Sequence, residues 1–218
     1  MIDYQLIRSK RRTLSICVDQ EGALVVRAPL RMKLGDIEAF IEQKKSWIEE
    51  KQLQAQGRKI FRMQEGAQMP FWGGWLTIRL VDGSKVSEGP DELFLPRNGE
   101  MEKLVKTWRM KRAKELIGPL TQEWMSRTGI ECSKISFGNA KSRWGSMNHR
   151  TRSLRLNAAL VHCPQDIVDY VVVHELVHII QPDHSAAFHA AVRSILPDAD
   201  SRRSALKKMS YLITLWDE

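Results

Sequence analysis

Between Ile167 and His178 the chain reads Ile-Val-Asp-Tyr-Val-Val-Val-His-Glu-Leu-Val-His, and this run restricts the fold more than any other feature. Pro164 stands where a helix begins, so the pattern predicts a helix starting there and running through the three valines, on a buried or half-buried element. His174, Glu175 and His178 form an H-E-x-x-H pattern at its end. Four residues of α-helix turn ~400°, which stacks the two imidazoles on one face about 6 Å apart along the axis, where they can converge on one ion. Zinc accepts such nitrogens at ~2.0–2.1 Å. Glu175 stands beside the first of them, placed to take a proton from a water at the ion without being a ligand itself.

A third ligand is needed to make such a site catalytic, with the fourth position left open. All six histidines lie between His149 and His189, and His184 follows His178 by six residues. Pro182 disfavours a helical Gln181, so the helix is expected to end there and the chain to turn back, bringing His184 to the other two, with Ser185 capping the next helix. His189 competes for the third position, and a carboxylate of the last helical segment is a weaker rival. His149 and His162 read as turn and surface residues.

The rest of the chain reads as α+β. Leu14 to Val18 and Ala23 to Arg27 alternate around an Asp19–Gly22 turn, the pattern of a hairpin. One helix is expected from Gly35 to about Gln56 on the spacing of Ile37, Phe40, Ile41, Ile48 and Leu53, with Trp47 at the edge of its inner face. A second β region spans Phe71–Leu80 and Glu92–Pro96, in which Gly73-Gly74 suggests a bulge or a close backbone approach. The composition turns helical after Arg97-Asn98-Gly99, so an N-terminal β-rich region over 1–98 and a second domain over 99–218 are expected. There, helices pack on a small antiparallel sheet that includes Ile135–Phe137 and Leu154–Leu156, around a turn at Gly145–His149.

In the 218 residues, 43% hydrophobic and 28% charged side chains exclude disordered, collagen-like and disulfide-scaffold classes. No stretch approaches the ~18 apolar residues of a membrane span and the start carries no basic-then-apolar leader, so no membrane role and a cytoplasmic location are expected. Cys17, Cys132 and Cys163 lie far apart and read as buried thiols.

The run Arg143-Trp144-Gly145-Ser146, then Leu156-Asn157, Asp169 to His178, Asp183-His184-Ser185 and Phe188 resembles the YgjP-like family of zincin-type metallopeptidases, related in metal motif to the SprT-like and WLM proteases. Arg8 to Arg12, Leu14-Ser15-Ile16, Val26 to Pro29 and Lys45 to Ile48 extend the resemblance across nearly the whole chain. It implies a gluzincin-like or metzincin-like core holding one zinc ion on His174, His178 and His184, with Glu175 as general base. Met147 stands where members usually carry Cys, His189 where many carry an aromatic, and Gln181 where the metzincin turn has Gly. For some members the resemblance implies nucleoside triphosphate pyrophosphohydrolysis instead.

Two features bear on the substrate. The net charge is +8, and Cys132 to Gln165 contains no acidic residue beside Lys134, Lys141, Arg143, Arg150, Arg152 and Arg155. Such a wall suits DNA or another polyanion, with Trp144 able to stack on a base, or it is a solvated face with no ligand. The strand around Leu154–Asn157 is expected to be a sheet edge that accepts an extended peptide, which favours a peptide or protein substrate. Against nucleotide hydrolysis stand the lack of a Gly-rich phosphate loop and of a carboxylate cluster for magnesium. The expected activity is therefore zinc-dependent peptide hydrolysis through metal-activated water, with action near nucleic acid as an option. The alternatives are a metal-dependent nucleotide pyrophosphohydrolase and a non-catalytic nucleic-acid-binding module. Arg143, Trp144, Arg150, Arg152, Arg155 and Asn157 are the candidate contact residues.

Overall fold

A computed structural model of the chain describes residues 3–19, 21–60, 63–98 and 100–215, the side chains of 54, 56–60 and 214 apart. Contacts divide the chain into two compact units, Met1–Arg62 and Met63–Glu218.

In the first unit β1 (Tyr4–Ser9), β2 (Ser15–Val18) and β3 (Leu24–Pro29) form a sheet of order β1-β3-β2, with β1 parallel and β2 antiparallel to β3. The hairpin is the one read from the alternation, and its turn is fixed by Asp19, whose Oδ1 accepts from the N–H groups of Glu21 and Ala23. Leu24, Val26 and Ala28 pack on Ile37, Ile41 and Ile48. Those isoleucines do not belong to one helix. The backbone breaks at Lys44 (φ −100°, ψ 9°), giving α1 (Leu34–Gln43) and α2 (Lys45–Ile60). The break leaves Ile41 and Ile48 in the same core cluster, which a straight helix with a seven-residue interval also satisfies, so periodicity alone does not reveal it.

The second unit opens with a sheet of order β4-β5-β7-β6, from β4 (Gln68–Phe71), β5 (Gly74–Val81), β6 (Ser87–Glu88) and β7 (Glu92–Pro96). Trp72 and Gly73 are both left-handed (φ 49° and 87°) and close β4 onto β5 as a two-residue turn. Gly73 thus serves a hairpin, not a bulge, because this turn demands positive φ at both positions. The 98/99 boundary read from composition falls between β7 and the next helix, within this unit.

That helix, α3 (Met101–Thr128), buries Val105, Trp108, Ala113, Ile117 and Trp124. A three-stranded sheet follows, made of β8 (Lys134–Gly138), β9 (Gly145–Asn148) and β10 (Ser153–Asn157) in the order β8-β10-β9. It is mixed rather than antiparallel, since β10 runs parallel to β8 and antiparallel to β9. Two expectations change with it. Gly145–Asn148 is a strand, and the turn lies at residues 149–152, where Arg152 is left-handed (φ 49°) and Asn148 Oδ1 accepts from the N–H groups of Arg150 and Thr151. Residues 154–157 are the middle strand, so their peptide groups are engaged on both sides and cannot take an added strand. β9 is the edge.

From β10 the chain passes through a 3₁₀ turn (Ala158–His162) into α4 (Gln165–Val177), α5 (Ala186–Ile195), α6 (Ala199–Lys208) and a last 3₁₀ turn (Ser210–Thr214). α4 is buried on nearly every side, and Trp124 Nε1–H donates to Asp169 Oδ1 at 2.7 Å, tying α3 to it. No helix of the described residues is long and apolar enough to cross a membrane.

Candidate metal centre and active site

α4 ends at Val177, and the turn His178 to Gln181 tightens through N–H bonds from Ile179 to Leu176 and from Ile180 to Val177. His178 keeps helical angles (φ −62°, ψ −13°), so its imidazole stays on the face of His174. After Pro182 the chain reverses, and Ser185 caps α5 by accepting from Phe188 N–H. The reversal brings His184 Nε2 to 3.2 Å from His174 Nε2. One ring nitrogen from each of His174, His178 and His184 lies within 4.8 Å of the others.

These three suit a zinc ion. Tetrahedral ligands at ~2.0–2.1 Å stand ~3.4 Å apart, close to the separation of His174 and His184. Burial pushes His174 down to about 3, helped by the neighbouring imidazoles, and also lowers His178, so both are neutral at pH 7 and present lone pairs. His178 Nδ1–H donates to the Gln181 carbonyl at 3.1 Å, which fixes the tautomer that leaves Nε2 free to ligate. The ring of Phe188, wholly buried, lies 4.8, 4.5 and 4.9 Å from those of His174, His178 and His184 and forms an apolar floor beneath them. His189 is 6.4 Å from the His184 ring, centre to centre, and outside the cluster.

Glu175 faces the sheet. It is 8% exposed, and burial pushes its carboxyl up to about 7, an increase partly offset by the Met147 N–H and by the charge of Arg143. A carboxyl with proton affinity near neutrality is suited to exchanging protons at physiological pH.

The candidate contact residues separate into groups. Arg143, Trp144, Arg155 and Asn157 line one shallow depression, whereas Arg150 and Arg152 stand apart on the β9–β10 turn. Arg143, Arg150, Arg152 and Arg155 are exposed, and the Arg155 guanidinium lies across the Cα of Gly138. Asn157 does not face a ligand. It is 2% exposed and its amide is spent internally, Nδ2 donating to the carbonyls of Ala140 (2.7 Å) and Arg143 (2.9 Å) and Oδ1 accepting from Ala159 N–H. It therefore braces the loop that leads into β9. His149 is an exposed turn residue, but His162 is buried, its Nδ1–H donating to the Pro70 carbonyl at 2.9 Å.

Sequence reasoning did not single out Phe188, Tyr170 or Gly145 as parts of the site. Tyr170 is one helical turn before His174, with ring centres 5.7 Å apart, and Phe188 is three residues beyond the Ser185 cap, so both follow from helical spacing.

Among known proteins, a family model described as YgjP-like, metallopeptidase domain, matches residues 12–209. No curated protein matches the chain significantly. Two solved structures are similar to part of it. The metallopeptidase zymogen abylysin of Pyrococcus abyssi shares 17% identity at a TM-score of 0.39, over 42% of this chain and 91% of that one. The metallopeptidase zymogen jannalysin of Methanocaldococcus jannaschii shares 23% at 0.37, over 41% and 92%.

Proposed function

The chain belongs to the YgjP-like metallopeptidase family, and from that premise we propose that it hydrolyses peptide bonds with zinc held by His174, His178 and His184 and with Glu175 as general base. The observation that carries this reading is the convergence of three imidazoles beside a buried carboxyl poised near pH 7. Zinc in that position supplies Lewis acidity, which lowers the pKa of water and polarises a carbonyl. Glu175 takes the proton of the attacking water and hands it to the departing amine, a transfer helped by a carboxyl pKa close to the working pH.

β9 is the strand suited to hold the substrate. Asn157 N–H donates to the Trp144 carbonyl at 2.8 Å, so by the alternation of an antiparallel ladder Ser146 and Asn148 also turn their peptide groups to β10. Gly145 and Met147 then point theirs off the edge, the Met147 N–H toward the Glu175 carboxyl, which leaves the Gly145 peptide groups and the Met147 carbonyl for a substrate. An extended peptide pairs there, beside Glu175, through its backbone.

The test is to compare hydrolysis of casein with pyrophosphate release from nucleoside triphosphates, using zinc-loaded wild type and Glu175→Gln. Peptide hydrolysis in the wild type only, with zinc retained by the variant, is expected. Pyrophosphate release that depends on Glu175, without peptide hydrolysis, would favour the nucleotide reading. The exposed arginines at 143, 150, 152 and 155 support a lesser reading, contact with a polyanion such as DNA, whose sign is affinity that falls with salt and with loss of Arg150 and Arg152.

A further inference from the structure

Gly145 lies in the extended strand β9 and has no positive φ, so its backbone would accept an alanine. Its neighbour would not. A Cβ at this position would stand 2.7 Å from Cγ, 2.9 Å from Cδ and 2.8 Å from Oε1 of Glu175. Ordinary contact between such atoms is ~3.5–4.0 Å, so the overlap is about 1 Å along the whole end of one side chain. That side chain is buried, so it has little room to swing aside.

We propose that Gly145 is a positioning residue for the general base: its bare Cα is the berth on which the Glu175 side chain lies. This deepens the reading of Glu175 as base and rests on it. One consequence concerns register. The strand that would pair with the substrate also seats the Glu175 side chain, so the distance between base and scissile bond is set within one element. A misplacement of about 1 Å at a reacting group can cost ~100-fold in rate.

Two measurements test the proposal. In zinc-loaded enzyme, Gly145→Ala should lower kcat by about 100-fold while KM changes only a few-fold, because the edge peptide groups that hold the substrate remain. The second does not involve turnover. In metal-free protein, Gly145→Ala should lower Tm by roughly 2–12 °C, the range for an overpacked buried position in a chain of this size. The same change in a Glu175→Ala background should leave Tm within ~1 °C, because the atoms it strikes are gone. If Gly145→Ala alone fails to fold, recovery of folded protein in the double variant carries the same meaning. An equal loss in both backgrounds, or no loss of Tm and an unchanged kcat, would overturn the berth. Coupling in Tm with no peptide hydrolysis by wild type would uphold the berth and sink the peptidase reading, which keeps the two failures apart.

Discussion

Replacing His162 by asparagine should remove one titration from the folding equilibrium. The imidazole is 2% exposed in the 3₁₀ turn Ala158–His162, and burial, with a smaller contribution from the charge of Arg109, holds its pKa down to about 3. In the unfolded chain a histidine titrates near 6.5. Between those values the unfolded chain takes up a proton that the folded one refuses. The stabilisation is therefore complete above pH 6.5 and is lost as pH falls toward 3. At ~1.36 kcal/mol per unit, the loss is about 2 kcal/mol at pH 5 and about 4 kcal/mol at pH 3, where the folded imidazole is itself half protonated. Asparagine retains a donor for the Pro70 carbonyl and does not titrate. The assay is urea unfolding of wild type and His162→Asn from pH 7 to pH 4 with a chelator present, so that changes at the His174, His178 and His184 cluster are common to both. The stability advantage of wild type should shrink by about 2 kcal/mol between pH 7 and pH 5. Parallel curves would refute the burial argument.

Two further outcomes follow from the same geometry. Phe188→Ala removes the ring that touches all three imidazoles and should destabilise the fold by roughly 3–5 kcal/mol. It should also weaken zinc binding in a chelator competition, whereas unchanged zinc affinity would deny the floor any part in holding the ligands. Asn157→Ala breaks three buried hydrogen bonds and should cost about 3 kcal/mol in denaturant unfolding, at ~1 kcal/mol each. A cost under about 1 kcal/mol would return Asn157 to the set of contact residues.

The parts of the site that the sequence makes legible are those fixed by local rules. Helical spacing pairs His174 with His178, a proline ends the helix, and a serine starts the next, so the approach of His184 follows from chain punctuation. The parts it hides depend on residues distant along the chain. The place of β10 in the middle of its sheet is settled by pairing with β8 across the 139–144 loop, and that loop is pinned by Asn157. Asn157 reads as a polar residue on an edge strand only while the strand order is unknown. His162 reads as a surface residue because its partner, the Pro70 carbonyl, lies 92 residues away. Gly145 reads from the sequence as the start of a turn, whereas its need is for space beside Glu175 rather than for φ. The break at Lys44 is invisible because Ile41 and Ile48 keep a helical interval across it.

The central claim is a metal centre made of His174, His178 and His184. Zinc content, measured by mass spectrometry on purified wild type and His184→Ala after dialysis against metal-free buffer, tests it most directly. About one zinc per chain is expected in the wild type, with its loss or sharp weakening in the variant. Zinc held equally well by both would remove His184 from the centre, and zinc held by neither after resupply would contradict the account outright.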